Sequence, residues 1–383
     1  MPLLPLLLLA LSPIQIDGSF QDWPEGVHVQ EDAQFLYALI ETQSEVCLQQ
    51  LPSELVVELG DYNIYFSPKK TGYGVACKKG ADWISPYEAG VVFAPTTASV
   101  RFEIRVKNKT SSPKKCAIDL QKTGDFRALS WNVQFGNLFD EATRSSRILK
   151  AINPDVLLLQ ELDGDDHPEK VKKFLQETLG GNWTVHMTAE HGTHRHEQLR
   201  SAIATNHTVL RSSPIDPETG KHCKALISAI AIQKKPINFI SLHLRCCGGP
   251  DSEAELQRIE EAEAIHRAVA SRQSPRFLIA GDWNLVGTKK PLELVQANVL
   301  ATVDAYQPDG LLNATWSDTS SSFTPGRLDW MLYSPNTLEV THCVVLDTAD
   351  LDADSLLNYD LLQEDTAELS DHLPLIADFK IIR

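Results

Sequence analysis

Five short polar motifs stand at the ends of apolar runs in the last two-thirds of the chain. They are Ser130-Trp131-Asn132-Val133, Leu159-Gln160-Glu161-Leu162, Ser241-Leu242-His243-Leu244, Ala280-Gly281-Asp282-Trp283-Asn284 and Ser370-Asp371-His372-Leu373-Pro374. A sixth, Arg327-Leu328-Asp329-Trp330-Met331, lies between the last two. Each puts Asn, Glu, His or Asp where a buried strand should emerge into solvent. Carboxylates, carboxamides and imidazoles delivered by separate strand ends suit hydrolysis of a phosphate ester with a hard cation. Such a cation takes oxygen ligands, keeps waters and offsets charge that develops on the phosphate.

Taken singly, each motif has a bland reading too. Glu161 either binds a cation or marks where its strand meets water, and Asp163, Asp165 and Asp166 follow at once. Asp282 and Asn284, two residues apart on an extended chain, point the same way and can hold a water or a phosphate oxygen beside a metal. The competing reading is an Asx-rich turn. A working His372 needs a group to set its tautomer, and Asp329, within an apolar strand, is the natural candidate. His243 alone reads as a satisfied core histidine. No Gly-rich phosphate loop, GxSxG elbow or HExxH helix is present. His186, His191, His194 and His196 fit neither one helical face nor a zinc pattern, and read as a solvated loop. Asn108, Asn182, Asn206 and Asn313 each begin an N-x-Thr sequon.

Two domains are the natural expectation for 383 residues. The net charge of -16 argues against a protein that coats nucleic acid, which needs clustered Lys and Arg. It leaves room for an enzyme acting on phosphodiesters through a bound cation. Residues 1–13, MPLLPLLLLALSP, are too short an apolar run to span a bilayer and read as a signal peptide, which implies a secreted or periplasmic protein. No other segment is apolar enough to cross a membrane. Seven cysteines include the adjacent Cys246 and Cys247, each able to pair elsewhere, for example with Cys223; buried thiols are the alternative.

These residues must be positioned by regular elements. Residues 14–106 contain short apolar or alternating runs, among them 35–40, 54–59, 63–66, 91–93 and 99–106, separated by Gly, Pro and Asp. That pattern predicts an all-β sandwich. Residues 107–124, polar and rich in turn formers, predict a linker. From 125 to 383 the period changes. Strands are expected at 128–133, 156–160, 202–204, 225–232, 237–244, 277–280, 327–332 and 373–379, with helices at 142–152 and 168–179. Ser252-x-x-Glu255 reads as a capping box before a further amphipathic helix. Mixed strands and helices of this length imply one large α/β domain.

The order Asn132, Glu161, His243, Asp282-x-Asn284, Asp329, Asp371-His372 resembles the endonuclease/exonuclease/phosphatase superfamily, the group of deoxyribonuclease I. The resemblance spans 125–383 and implies two packed, mainly antiparallel β-sheets flanked by helices. It further implies Glu161 as principal Mg²⁺ ligand, with Asn132 near metal and phosphate and Asp371 as a second metal-side carboxylate. Mn²⁺ is a possible substitute for Mg²⁺. Asp282 and Asn284 would orient the attacking water, and His372, held by Asp329, would act as base or phosphate stabiliser. His243 would contact a phosphate oxygen or protonate the leaving group. Deoxyribonuclease I-type members pair this His with another acid and some relatives use a Tyr; between Trp183 and Arg211 this chain offers Glu190, Glu197 and Arg200 and no Tyr, and Arg200 is the candidate phosphate clamp. His243-Leu244-Arg245-Cys246-Cys247-Gly248-Gly249 looks like a version of the domain found in exported bacterial proteins, with Arg245 a candidate contact to substrate phosphate. Ile16-Asp17-Gly18-Ser19-Phe20-Gln21-Asp22-Trp23-Pro24 resembles the opening of family-nine-type carbohydrate-binding modules. Carbohydrate is therefore a candidate ligand of the first domain, although Trp23 equally suits a core.

The expected activity is hydrolysis of a phosphodiester, in nucleic acid, a phospholipid headgroup or a small phosphoester. Acids dominate 346–372, which contains no Lys or Arg; this disfavours tight duplex binding and leaves a phospholipase C/sphingomyelinase-like or phosphomonoesterase activity as the alternative within the enzyme class. The alternative class is a catalytically inactive binding protein. An unbroken set of motif residues speaks against it.

Overall fold

The structure, a computed structural model, describes residues 14–108, 114–217, 219 and 222–382. The expected signal peptide and residues 109–113 of the expected linker lie outside them. Among the described residues no helix is long and apolar enough to cross a membrane.

Two six-stranded sheets pack face to face over residues 126–381. The first runs in the order Thr184–Met187, Arg200–Thr205, Val156–Leu162, Phe126–Asn132, Leu375–Ile381, Leu338–Val345. The second runs Thr208–Ile215, Lys224–Ile232, Lys235–His243, Phe277–Asp282, Asp329–Tyr333, Ala301–Thr302. Their shared core holds Phe126, Leu158, Phe239, Leu278, Met331 and Phe379. Helices Ala142–Ile152 and Pro168–Leu179 cover the outer face of the first sheet, and Glu253–Ala270 and Lys290–Gln296 cover that of the second. Strands buried on both faces read as continuous apolar runs, which is why Val156–Leu159 shows no alternation.

Pairing is mainly antiparallel, with one parallel pair at the centre of each sheet. Phe126–Asn132 lies parallel to Val156–Leu162, and Lys235–His243 lies parallel to Phe277–Asp282. A parallel connection needs a crossover, supplied by the helices Ala142–Ile152 and Glu253–Ala270. The four carboxyl ends of these strands therefore emerge on one edge of the sandwich.

Helix ends follow local chemistry with one difference from expectation. Asn153 adopts the left-handed conformation that stops the first helix ahead of Pro154. Ser252 does cap its helix by accepting from Glu255 N at 3.1 Å. Glu255, however, does not return a bond as a capping box requires; its carboxylate is buried against Arg258 and Thr288. Tertiary partners outcompete the local one.

Residues 29–107 form two four-stranded sheets, Val29–Glu31, Phe35–Val46, Ser99–Lys107, Val92–Ala94 and Leu55–Leu59, Tyr62–Phe66, Val75–Lys79, Asp82–Ile84, around a common core that includes Ile64, Phe66, Phe102 and Ile104. Trp23 is buried and donates its indole N–H to Glu103 at 3.0 Å, so its ring fills the core and is not presented to solvent. Ile16 pairs with Leu312 of the larger unit. The described part of 107–124 is laid along that unit: Cys116 N donates to Asp350 O at 2.8 Å, and Leu120 N donates to the Tyr359 hydroxyl at 2.7 Å.

Candidate active site

Register places the polar strand ends side by side. Asn132 is level with Gln160, His243 with Asp282, and Asp282 with Asp329. Glu161 lies within a break in register between Leu159 and Leu162 and has φ +58°, so the bulge turns its carboxylate toward the neighbouring ends. Gly281 is required by a close approach. A Cβ there would lie 1.9 Å from the Leu242 carbonyl oxygen, so any larger residue would separate the parallel strands that carry His243 and Asp282.

Asp282 is the hub. Its Oδ2 accepts from Asn132 Nδ2 and Asn284 Nδ2, each at 3.1 Å, and lies 3.6 Å from His243 Nε2 and 3.7 Å from His372 Nε2. Its Oδ1 accepts from Asn284 N at 3.0 Å. Asn132 Nδ2 also donates to Glu161 Oε1 at 3.1 Å, while its Oδ1 accepts from Gln134 N at 3.0 Å. Asn132 thus acts on the site by holding two carboxylates. His372 Nδ1 sits 2.7 Å from Asp329 Oδ2, both side chains buried. The backbone on either side is locked: Ser370 Oγ donates to Asn132 O at 2.7 Å and accepts from His372 N at 3.0 Å, and Trp131 Nε1 donates to His372 O at 3.0 Å.

Electrostatics divide these groups. Burial raises the Asp282 carboxyl; His372 pulls it down, and Asp329 and Glu161 add to the rise. Burial opposes a charge on the His372 ring, yet Asp329 and Asp282 outweigh it and hold the ring well above its ordinary value. Burial, with Lys224 and His372 behind it, drives His243 well below its ordinary value. Environments that push neighbouring groups apart in this way are how acid, base and charge-stabiliser roles become separated.

Glu161, His243 and Asp282 each offer a ligand atom, all within 4.8 Å of one another; Asp282, Asp329 and His372 form a second such group. The first group fits a divalent cation, because two carboxylates crowded around one amide gain from a positive charge between them. Asp371 belongs to neither group. Its carboxylate accepts from Trp316 Nε1 at 2.9 Å at the rim of the cleft.

The remaining expected residues sit differently. Arg200 is buried, and its guanidinium donates to the backbone oxygens of Asp163, Gly164 and Asp166. It thereby braces the loop that follows Glu161 and does not reach the Asp282 cluster. Arg245 is exposed and lines an adjoining hollow with Lys224, His191 and His222. His191 and His222 stack at 4.5 Å and His196 meets Phe135 edge-on at 5.1 Å, so two histidines of the expected solvated loop have ring partners. Cys246 and Cys247 are joined to each other, and Cys223 is a free, buried thiol. The sequence reading missed Ser370, Trp316 and Thr315, whose hydroxyl accepts from Asp329 N at 2.8 Å. Nothing in their local spacing distinguishes them from ordinary turn and core residues.

The model of the Endonuclease/Exonuclease/phosphatase family matches residues 129–372. Comparison with curated protein sequences yields no match. Among solved structures, the chain is similar to the human Nocturnin catalytic domain with bound sulfate, with TM-score 0.49, 19% identity and coverage of 68% of this chain and 96% of that one. It is also similar to the 3′ phosphatase NExo from Neisseria bound to product DNA hairpin, with TM-score 0.46, 16% identity and coverage of 66% and 99%. A third is truncated Caenorhabditis elegans TDP2, with TM-score 0.46, 18% identity and coverage of 66% and 96%. With its matched region covering more than half of the chain and every polar strand end described above, the chain belongs to the endonuclease/exonuclease/phosphatase family of phosphoester hydrolases.

Proposed function

We propose that this chain is an exported, Mg²⁺- or Mn²⁺-dependent hydrolase of phosphodiesters that uses in-line attack by water. The observation that carries the reading is the convergence of the Asp329–His372 pair, 2.7 Å apart, with Asp282, Asn132 and Glu161 on one edge of the sandwich. Glu161, with Asn132 beside it, would hold the cation, which when bound neutralises charge on a phosphate oxygen and lowers the cost of water attack. Asp282, raised by burial and held by Asn132 and Asn284, takes the proton of the attacking water. As the water oxygen bonds to phosphorus the ester P–O bond breaks, and the leaving oxygen takes a proton from solvent. His372, kept protonated by Asp329, stabilises the negative charge that builds on the phosphate. His243, kept neutral by burial, is placed to donate a hydrogen bond from Nε2 to a phosphate oxygen. The Cys246–Cys247 disulfide suits an oxidising compartment and supports export.

The test is a substrate panel of DNA, RNA, sphingomyelin and inositol phosphates, with Mg²⁺, Mn²⁺ or chelator, run on the wild type and on His372→Ala. Cation-dependent turnover lost in the variant is expected; equal turnover in the two proteins would end the assignment. Cation binding is read separately by melting temperature. Mg²⁺ or Mn²⁺ should raise it in the wild type and leave Glu161→Gln unmoved.

A further inference from the structure

We infer that the N-terminal sandwich is part of the specificity apparatus, closing one side of the catalytic cleft into a pocket for a compact, uncharged or cationic organic group esterified to the reacting phosphate. The inference rests on the hydrolase reading and deepens it.

The pocket has a volume of about 330 Å³. Its floor is catalytic, with Asp282, Asn284 and His372, and its far wall comes from the sandwich as Cys47, Gln49, Gln50 and Thr96. Two loops of the larger unit reach it. One follows Asn284 and carries Val286; the other, 316–326, precedes Asp329 and carries Trp316 and Phe323. Both are bonded to the sandwich. Thr96 Oγ1 donates to Leu285 O at 3.1 Å, Ala98 N to Gly287 O at 2.7 Å and Cys47 Sγ to Gly287 O at 3.3 Å. Thr324 N donates to Gln49 Oε1 at 3.1 Å, Val75 N to Ser322 O at 2.7 Å and the Tyr87 hydroxyl to Phe323 O at 2.9 Å. The sandwich also touches the third side. A Cβ on Gly249 would lie 2.2 Å from Gln50 Oε1, so Gln50 packs directly on the turn that follows the Cys246–Cys247 disulfide.

The lining sets the chemistry of the occupant. Among the described residues no Lys or Arg lines the pocket, whereas Glu161, Asp282 and Asp371 do. With His372 and the cation engaged by the reacting phosphate, a second phosphate entering here would meet three carboxylates and no Lys or Arg, although each phosphate contact of a nucleic-acid strand calls for Lys or Arg. Phe323, Trp316, Val286 and the disulfide offer apolar surface, which suits a neutral group or, through the aromatic faces, an organic cation. The volume lies at the small end of ligand pockets, roughly 300–1,000 Å³, and matches a single headgroup or nucleoside rather than a duplex.

The test uses the full chain with Mg²⁺ or Mn²⁺ and two chromogenic diesters that differ by one phosphate: the p-nitrophenyl ester of thymidine 5′-phosphate, and the same ester carrying a 3′-phosphate. p-Nitrophenyl phosphocholine and a labelled DNA duplex complete the set. The wild type should favour the ester without the extra phosphate, and phosphocholine over duplex per bond, by at least about tenfold in kcat/KM, the scale of one like-charge contact. Gln50→Arg, checked for an unchanged melting temperature, should narrow the charge preference by about fivefold, whereas Gln50→Ala should not, since only the added cation changes the field. Equal use of the two thymidine esters, duplex cleaved as well as phosphocholine, or a Gln50→Arg ratio equal to wild type would overturn this inference and leave the hydrolase standing. No hydrolysis of any ester with either cation would overturn both.

Discussion

Replacing Asp329 with Asn should disable catalysis while leaving the fold nearly intact. Asp329 Oδ2 lies 2.7 Å from His372 Nδ1, and both side chains are buried, so the contact is a charge-assisted hydrogen bond shielded from water. Asn keeps the size and can still accept from a neutral ring, but it removes the largest of the charges that offset the burial of His372. Without it, only Asp282 and Asp371 stand against burial, and the ring holds its proton less tightly. The energetic consequence splits in two. Stability should fall by about 1–3 kcal/mol, the worth of a hydrogen bond to a charged group. Turnover should fall by roughly 10²–10⁴, or about 2.7–5.5 kcal/mol in the barrier, because a positioned charge or proton donor is lost at the transition state. The assay is kcat and KM on a chromogenic diester at saturating Mn²⁺, with a melting curve to show that the variant folds. The loss should lie in kcat, and the double variant Asp329→Asn/His372→Ala should be no worse than His372→Ala, since residues that act as a unit are not additive. A folded Asp329→Asn protein with kcat within about threefold of wild type, or a double variant worse by the product of the two single losses, would refute the pairing argument.

Two stability predictions concern residues outside the site. Burial, with Asp347 and Asp309 adding, raises Asp350 from 3.8 to about 7. Between those values the folded protein holds a proton that the unfolded chain has lost, so this contribution is fully present below about pH 4 and disappears as pH rises through 7. Melting temperature should therefore slope downward over that window, and Asp350→Asn should flatten the slope and gain at pH 8; an identical slope in the variant would refute the assignment. Arg127, fully buried, forks onto Asp378 at 2.6 and 2.8 Å and spends its third nitrogen on Leu120 O and Ile152 O. Asp378→Asn should cost about 3–5 kcal/mol by leaving a buried guanidinium without its counter-charge. A shift below about 1 kcal/mol in chemical denaturation would show that the charge is neutralised elsewhere.

Much of the catalytic edge is legible in the sequence because each residue lies where a buried apolar run stops. Val156–Gln160 and Phe277–Ala280 are apolar for a packing reason, and a Glu or Asp that ends such a run is visible by contrast. The pairing of His372 with Asp329 is legible for the same reason, as a carboxylate inside an apolar strand. Arg200 and Asp371 are not separable in this way. An Arg that clamps substrate and an Arg that clamps the Asp163–Asp166 backbone look the same in one dimension, and only the turn of that loop distinguishes them. Short edge strands such as Thr184–Met187 and Leu338–Val345 are equally hard to read, since they are half-exposed and carry Thr and His in place of an apolar run.

Composition and strand periodicity determined the two kinds of unit, one all-β and one mixed α/β, and the reach of the polar strand ends, because burial on one or both faces writes directly into the order of apolar residues; the two packed sheets of the larger unit came from the family resemblance. Which side chains share a proton or a cation was decided by register: Asp282 meets Asp329 across one strand pair and His243 across the other, and a slip of one residue would turn each away. The pocket beside them was decided further off still. Gln49, Gln50 and Thr96 belong to a different unit from Asp282 and His372, which they help to enclose. Their role arises from docking between two units, which leaves no periodic trace in either.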